Sequence, residues 1–141
     1  MLLYGGEVIS WKNERGEELM FVSNKALFKP PKAIRGGIPI CFPQFGSFGS
    51  LEQHGFARNS FWAIDTCPSP LPTANNTSTV DLVLNYTDED LKLWSRCFEL
   101  RLRMSLGSGK LTLIPRVRNI DNKPFSFTFV FAYLFISVRH K

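Results

Sequence analysis

The sequence contains few residues of the kinds that bind metals or form disulfides. Three cysteines (Cys41, Cys67 and Cys97) and two histidines (His54 and His140) occur among 141 residues. The cysteines are odd in number, no two form a Cys-x-x-Cys pair, and neither histidine completes a zinc-binding spacing. We therefore expect no metal site, and free thiols in a reducing compartment, which predicts a cytoplasmic location.

Long apolar runs and dense basic runs are also lacking. Residues 129–138 are apolar but too few to cross a bilayer, which takes about 20 residues. The N-terminal residues lack the apolar core of a signal peptide. The formal net charge is +5, from 17 Lys and Arg against 12 Asp and Glu, and the basic residues are scattered. We expect neither a nucleic acid nor a membrane as partner.

Aromatic residues are plentiful, with 13 phenylalanines, and alternation with polar residues is common. Residues 98–106 alternate most clearly, with apolar side chains on one face and Glu99, Arg101, Arg103 and Ser105 on the other. This period of two is typical of a strand with one buried and one wet face. Segments 79–86, 111–120 and 125–132 follow the same pattern. An all-β chain is predicted, forming a β-sandwich or part of one.

Shorter signals complete the predicted order of elements. Segments 6–12 and 18–23 flank the polar turn 13–16, which indicates a hairpin. Thr87 opens a single helical turn over 87–94, with acidic residues behind it. Residues 107–110 and 121–124 have the composition of turns.

Residues 30–50 interrupt the strand pattern with four prolines and four glycines. Loops of this length are uncommon unless they serve a site. Arg35 lies in this loop, and Gln53, His54 and Arg58 follow it. Two arginines suit phosphate oxygens, and a glutamine with a neutral histidine suits sugar hydroxyls. Composition alone also allows two surface arginines and an ordinary loop histidine.

Aromatic residues around this loop offer a candidate apolar wall for a sugar face. They are Phe42, Phe45, Phe48, Phe56 and Trp62.

The order of residues around the loop is more specific. RGGIPICFPQFG (35–46) and QHGFARNSFW (53–62) closely resemble the signature of glucose-6-phosphate 1-epimerases, in the wider aldose 1-epimerase group, and are nearest to plant-like members. KPPKAI (29–34), RN (118–119) and KPFSFTF (123–129) also resemble the family. The resemblance reaches to about Tyr133.

This resemblance implies a fold and an activity. The fold would be an incomplete β-sandwich, the N-terminal half of a galactose-mutarotase-like supersandwich, with residues 1–133 in the family domain and 134–141 as a divergent tail. Family enzymes interconvert the α and β anomers of hexose 6-phosphates without a metal or cofactor. By resemblance, Arg35 and Arg58 would hold the phosphate, while Gln53 and His54 would lie along the sugar.

The sequence departs from the family at the position of the catalytic acid. The family has a histidine after the Phe-rich strand, and Leu134 stands there instead. The glutamate that acts as the catalytic base in the family falls in the half of the sandwich that these residues do not match. We therefore expect a truncated chain with no catalytic residue of its own. Three alternatives stay open: an epimerase, a non-catalytic phosphosugar-binding module, and a splice fragment without function.

Overall fold

A computed structural model describes residues 1–107 and 109–133. Its elements, in chain order, are β1 (Ile40–Cys41), a 3-10 helix (Ala57–Asn59), β2 (Ala63–Ile64), β3 (Ser78–Asn85), α1 (Asp88–Leu93), β4 (Phe98–Gly107), β5 (Lys110–Asn119) and β6 (Val130–Phe131). Strands dominate, which confirms the all-β prediction. Leu134 and the predicted tail 134–141 lie outside the described residues. No helix within the described ranges is long and apolar enough to cross a membrane.

The chain divides into two compact units. One comprises Met1–Phe61 together with the described residues from Phe127 onward, and the other comprises Trp62–Ser126. The motif residues 35–58 all belong to the first unit.

The second unit is a four-stranded antiparallel sheet in the order β2-β3-β4-β5. Leu82 of β3 pairs with Leu102 of β4, which pairs with Pro115 of β5. The alternation in β3 and β4 places Leu82, Leu84, Phe98, Leu100 and Leu102 on one face, where each is at most 4% exposed. Burial of these side chains is what the period-two pattern predicts.

The opposite face of β4 is not uniformly wet, contrary to the prediction. Arg103 is only 5% exposed. Its Nε donates to Asp81 Oδ1 at 2.9 Å, while Nη1 donates to Leu71 O and Nη2 to Ser69 O, both at 2.9 Å. The non-strand segment around residues 69–71 therefore covers this part of the sheet. Leu106, predicted to be buried, is instead 48% exposed at the end of β4.

The predicted helical turn is confirmed as α1. Thr87 caps it: its side chain accepts from the Asp90 amide at 3.1 Å, and the Asp90 carboxylate accepts from the Thr87 amide at 2.9 Å. This reciprocal capping box satisfies two amides that have no partner inside the helix.

Backbone pairing in the first unit consists mostly of isolated bridges. Lys12 pairs with Glu18, which confirms the predicted hairpin, and Val8 pairs with Ile38. β1 pairs antiparallel with β6. The strand predicted over 125–132 is wrong in length, since only Val130–Phe131 is a strand. The predicted strand spans the point, between Ser126 and Phe127, where the chain passes from the second unit to the first, so its two ends belong to different units.

Replacing Arg103 with Met should destabilise the sheet unit strongly, because the Asp81 carboxylate would stay buried without its cation. Losing one partner of a buried pair costs about 3–5 kcal/mol. Urea unfolding of Arg103→Met should show that loss. The double variant Arg103→Met/Asp81→Leu should recover only part of it, since two backbone carbonyls still lose their donor. Equal midpoints for Arg103→Met and the control Arg96→Met would contradict this account.

Candidate functional site

The carbonyl group of Phe42 joins the two parts of the motif. It accepts hydrogen bonds from the backbone amides of Phe56 at 3.1 Å and Ala57 at 3.2 Å. Gly55 approaches so closely that a Cβ atom there would lie 2.3 Å from the Phe42 oxygen, and its φ is +70°. Only glycine fits such a position without strain. The segment 53–58 is thereby fixed beside residues 42–46.

Gln44 shapes the loop that separates the two parts. Its side chain is 6% exposed. Nε2 donates to Gly46 O at 2.9 Å, and Oε1 accepts from the Leu51 amide at 3.1 Å. These contacts supply the hydrogen bonds that a non-strand loop cannot obtain from a ladder. Gln44 is therefore a positioning residue that the sequence analysis missed.

His54 faces this loop with a defined protonation. Its backbone has φ of +70°. Nδ1 accepts from the Gly46 amide at 3.0 Å, so in the neutral ring the proton sits on Nε2. Burial, and then the nearby charge of Arg58, lower the pKa of His54. The imidazole is therefore neutral near pH 7, with an N–H donor to offer.

Arg58 lies in the 3-10 helix and brings Gln53 and His54 into one cluster. Its Nη2 donates to Gln53 O at 2.8 Å. Its Nε is buried without a hydrogen-bond partner. The side chain is half-buried, whereas that of Gln53 is exposed. Three of the four predicted site residues thus lie together.

Arg35 is placed differently. Its side chain is exposed, and its carbonyl accepts from the Ser23 amide at 2.8 Å. Within the described residues, the Arg35 guanidinium makes no hydrogen bond or ion pair with Gln53, His54 or Arg58. Its loop approaches the cluster through Gly37, which lies beside Glu7.

Glu7 makes that link, and sequence reasoning did not assign it to the site. Glu7 is 1% exposed, and its Oε1 has no hydrogen-bond partner. A Cβ on Gly37 would lie 2.9 Å from Oε1, and a Cβ on Gly5 would lie 3.5 Å from Oε2. Burial raises the pKa of Glu7 to about 8, although the charge of Arg58 opposes the shift. The only sequence signal for this buried carboxyl was a glutamate placed between glycines and apolar residues.

The predicted aromatic wall is largely wrong. Phe42, Phe56 and Trp62 are each at most 9% exposed and belong to the cores of their units. Phe45 remains beside the cluster, with its ring centroid 5.2 Å from that of His54. Phe48 is 90% exposed. The spacing of the aromatic residues did not show which rings would be buried in a core and which would be exposed.

No group of three or more His, Cys, Asp or Glu side chains gathers at one point in residues 1–107 and 109–133. Besides burial, which has the larger effect, the charge of Arg58 acts to lower the pKa of three described side chains: the Glu7 carboxyl, the Cys41 thiol and the His54 imidazole. This arrangement can bind and polarise a polar ligand by hydrogen bonds and charge.

The model of the aldose 1-epimerase family matches residues 1–136. The chain belongs to this family. Over 140 residues it is 61% identical to a protein of Cenchrus ciliaris provisionally named glucose-6-phosphate 1-epimerase, with 96% of this chain and 43% of the relative covered. The chain thus spans less than half the length of that relative.

Solved structures agree with this aldose 1-epimerase membership. A protein from Salmonella typhimurium, provisionally described as a mutarotase, matches with 36% identity and a TM-score of 0.62, over 74% of this chain and 35% of its own. A galactose mutarotase-like protein from Lactobacillus casei matches with a TM-score of 0.73 at 22% identity, over 92% of this chain and 43% of its own. The second match shows the fold alone. Together they confirm the predicted fold, an all-β part of a galactose mutarotase-like structure.

The buried Glu7 carboxyl should make stability depend on pH. Between pH 4.5, its ordinary pKa, and about 8, the folded chain holds a proton on Glu7 that the unfolded chain has released. The free energy of unfolding should therefore fall as pH rises through this window, by up to about 1.4 kcal/mol per pH unit. Urea unfolding across the window should show that slope, and Glu7→Gln should remove much of it. An unchanged slope in Glu7→Gln, matching the exposed control Glu14→Gln, would contradict the assignment.

Proposed function

We propose that this chain supplies the substrate-binding part of a glucose-6-phosphate 1-epimerase, with a hexose 6-phosphate as ligand. The observation that carries the proposal is the cluster around Arg58, where the Gln53 carbonyl and the His54 imidazole lie beside a half-buried guanidinium. The relative from Cenchrus ciliaris, whose provisional name is the same activity, supports the choice of ligand. Arg35 and Arg58 are the proposed phosphate ligands.

The state of Arg58 suits an oxyanion. One of its nitrogens is held by Gln53 O, while Nε is buried and has no acceptor. Leaving a buried charged donor unsatisfied is costly, and a phosphate oxygen is a strong acceptor for it. Glu7 lies near, but its raised pKa keeps it largely neutral below about pH 8. The nearby positive charge is therefore not cancelled by a carboxylate.

Gln53 and His54 suit the neutral part of the ligand. Gln53 is exposed beside Arg58, and His54 offers its Nε2 proton because Nδ1 already accepts from Gly46. A sugar hydroxyl both donates and accepts, so an amide and a neutral imidazole match it. We assign these two residues to the sugar ring.

The chemistry implied by the family resemblance needs an acid and a base. The base takes the proton from the anomeric hydroxyl, the acid protonates the ring oxygen, and the opened sugar recloses on the other face. We assign neither role to a described residue. The described residues bind and orient, in a domain that we place at 1–133.

Leu134 favours a second candidate function for the 141-residue chain by itself, namely binding without turnover. The resemblance puts the histidine that acts as the family's catalytic acid where this chain has Leu134. A leucine side chain carries no transferable proton. Tight positioning without proton transfer gives up the ~100- to 10,000-fold that general acid–base catalysis contributes.

Affinity should depend on the phosphate group. Calorimetric titration should show glucose 6-phosphate binding more tightly than glucose and weakening as salt rises. Arg35→Ala and Arg58→Ala should each weaken glucose 6-phosphate about 10- to 100-fold, since hydrogen bonds to charged groups contribute about 1.5–3 kcal/mol. The exposed Arg15→Ala is the matched control and should bind normally. Equal affinity for both sugars would refute the phosphate assignment.

The 141-residue chain should not accelerate anomer exchange. NMR exchange spectroscopy on glucose 6-phosphate should give the rate of buffer alone, because no described residue is assigned as acid or base. Exchange well above that rate, lost again in Arg35→Ala, would show that the chain is catalytic as it stands.

A further inference from the structure

Three arginines meet on the polar face of the sheet in the second unit. Arg101 of β4 lies opposite Arg116 of β5, and Glu99 lies opposite Arg118. Directly paired residues of an antiparallel ladder share a face, and like charges in such pairs repel. Arg101 against Arg116 is therefore an arrangement that needs compensation.

These side chains line a cavity of about 240 Å³, together with Ser69 and Val117. None of its lining residues belongs to the cluster around Arg58. The cavity lies wholly in the unit Trp62–Ser126.

The two carboxylates nearby are already engaged by one arginine. Arg101 Nε donates to Glu99 Oε1 at 2.9 Å, and Arg101 Nη1 lies 2.9 Å from Asp65 Oδ2. Three guanidiniums face two carboxylates, which leaves a net charge of +1. Asp65 and Glu99 thus compensate Arg101, and neither bonds to Arg116.

Arg116 is the arginine of this group with buried nitrogens that lack partners. Its Nε and Nη2 atoms are both buried without a hydrogen-bond partner. These two nitrogens form one edge of the guanidinium, with parallel N–H groups spaced to bind two oxygens of one oxyanion. Buried donors without partners are rare and costly in folded proteins. Arg116 also lines the cavity. A cavity lined by an arginine with two unpartnered nitrogens has the chemistry of an anion site.

We propose that this cavity is a second ligand site, which binds a single oxyanion group, a carboxylate or a phosphate, at the guanidinium of Arg116. Arg118 lies beside it on β5, is exposed and adds charge at the rim. The carboxylate of Glu99, fixed by Arg101, limits the charge that the site accepts and leaves a hydrogen-bond acceptor for a hydroxyl of the ligand. The site is independent of the proposed sugar-phosphate cluster.

The test uses inorganic phosphate and acetate as probes on the 141-residue chain carrying Arg35→Ala and Arg58→Ala, which removes the proposed phosphate ligands of the first unit. Calorimetry and thermal melting at matched ionic strength, with chloride as reference, should show saturable binding and a raised Tm with at least one probe. Saturation by phosphate alone or by acetate alone would identify the oxyanion class. Saturation by neither probe would overturn the proposal.

Variants separate this site from a merely structural arginine. Arg116→Met should weaken probe binding at least tenfold, while its Tm without probe should not fall, because two unpaired buried donors are removed. Arg96→Met, an arginine of the same unit outside the cavity, should bind as the parent does. Equal binding by Arg116→Met and Arg96→Met would overturn the proposal and leave water as the partner of Arg116.

Arg118→Gln tests probe affinity in a variant whose result does not depend on how Arg116→Met folds. Because Arg118 is exposed, its replacement should leave the fold intact and weaken the probe several-fold. Unchanged affinity in Arg118→Gln would likewise overturn the site.

Discussion

The candidate site depends on a backbone contact, the double hydrogen bond that Phe42 O accepts from the amides of Phe56 and Ala57. The Phe42 side chain is fully buried, and its ring packs against Phe127 and Phe129 at centroid distances of 5.5 and 6.4 Å. The core of the first unit therefore holds the carbonyl in place, and the carbonyl holds the segment that carries Arg58. Any change that moves Phe42 should displace the candidate ligand residues together.

Charge in this unit centres on Arg58. Its guanidinium influences Glu7, Cys41 and His54, and at each of these groups burial is the larger effect. Burial raises the pKa of the Cys41 thiol and of the Glu7 carboxyl, so both tend to stay neutral. It lowers the pKa of His54, which also stays neutral. An arginine with neutral neighbours keeps its charge available, and this is the physical basis for assigning an anionic ligand to it.

Sequence patterns predicted the parts of the fold that depend on short-range periodicity. The alternation in 98–106 and the cap at Thr87 were enough to predict β4 and α1, because burial of one face and capping are local effects. The buried Arg103 could not be predicted, since the segment 69–71 that covers it makes its contacts far along the chain. For the site, the motif predicted Arg35, Gln53, His54 and Arg58, and the structure brings the last three together. Glu7 was missed because nothing local shows that Gly5 and Gly37 will enclose it.

The most direct test of the central assignment is chemical-shift mapping of the ¹⁵N-labelled chain during titration with glucose 6-phosphate. Binding at the Arg58 cluster should shift the amides of Arg35, Gln53, His54 and Arg58 along one saturable curve, and glucose should shift them less. The Gly37 and Gly55 amides should follow, because they pack against Glu7 and Phe42. Saturable shifts confined to residues of β4 and β5, with the motif amides unmoved, would contradict the account.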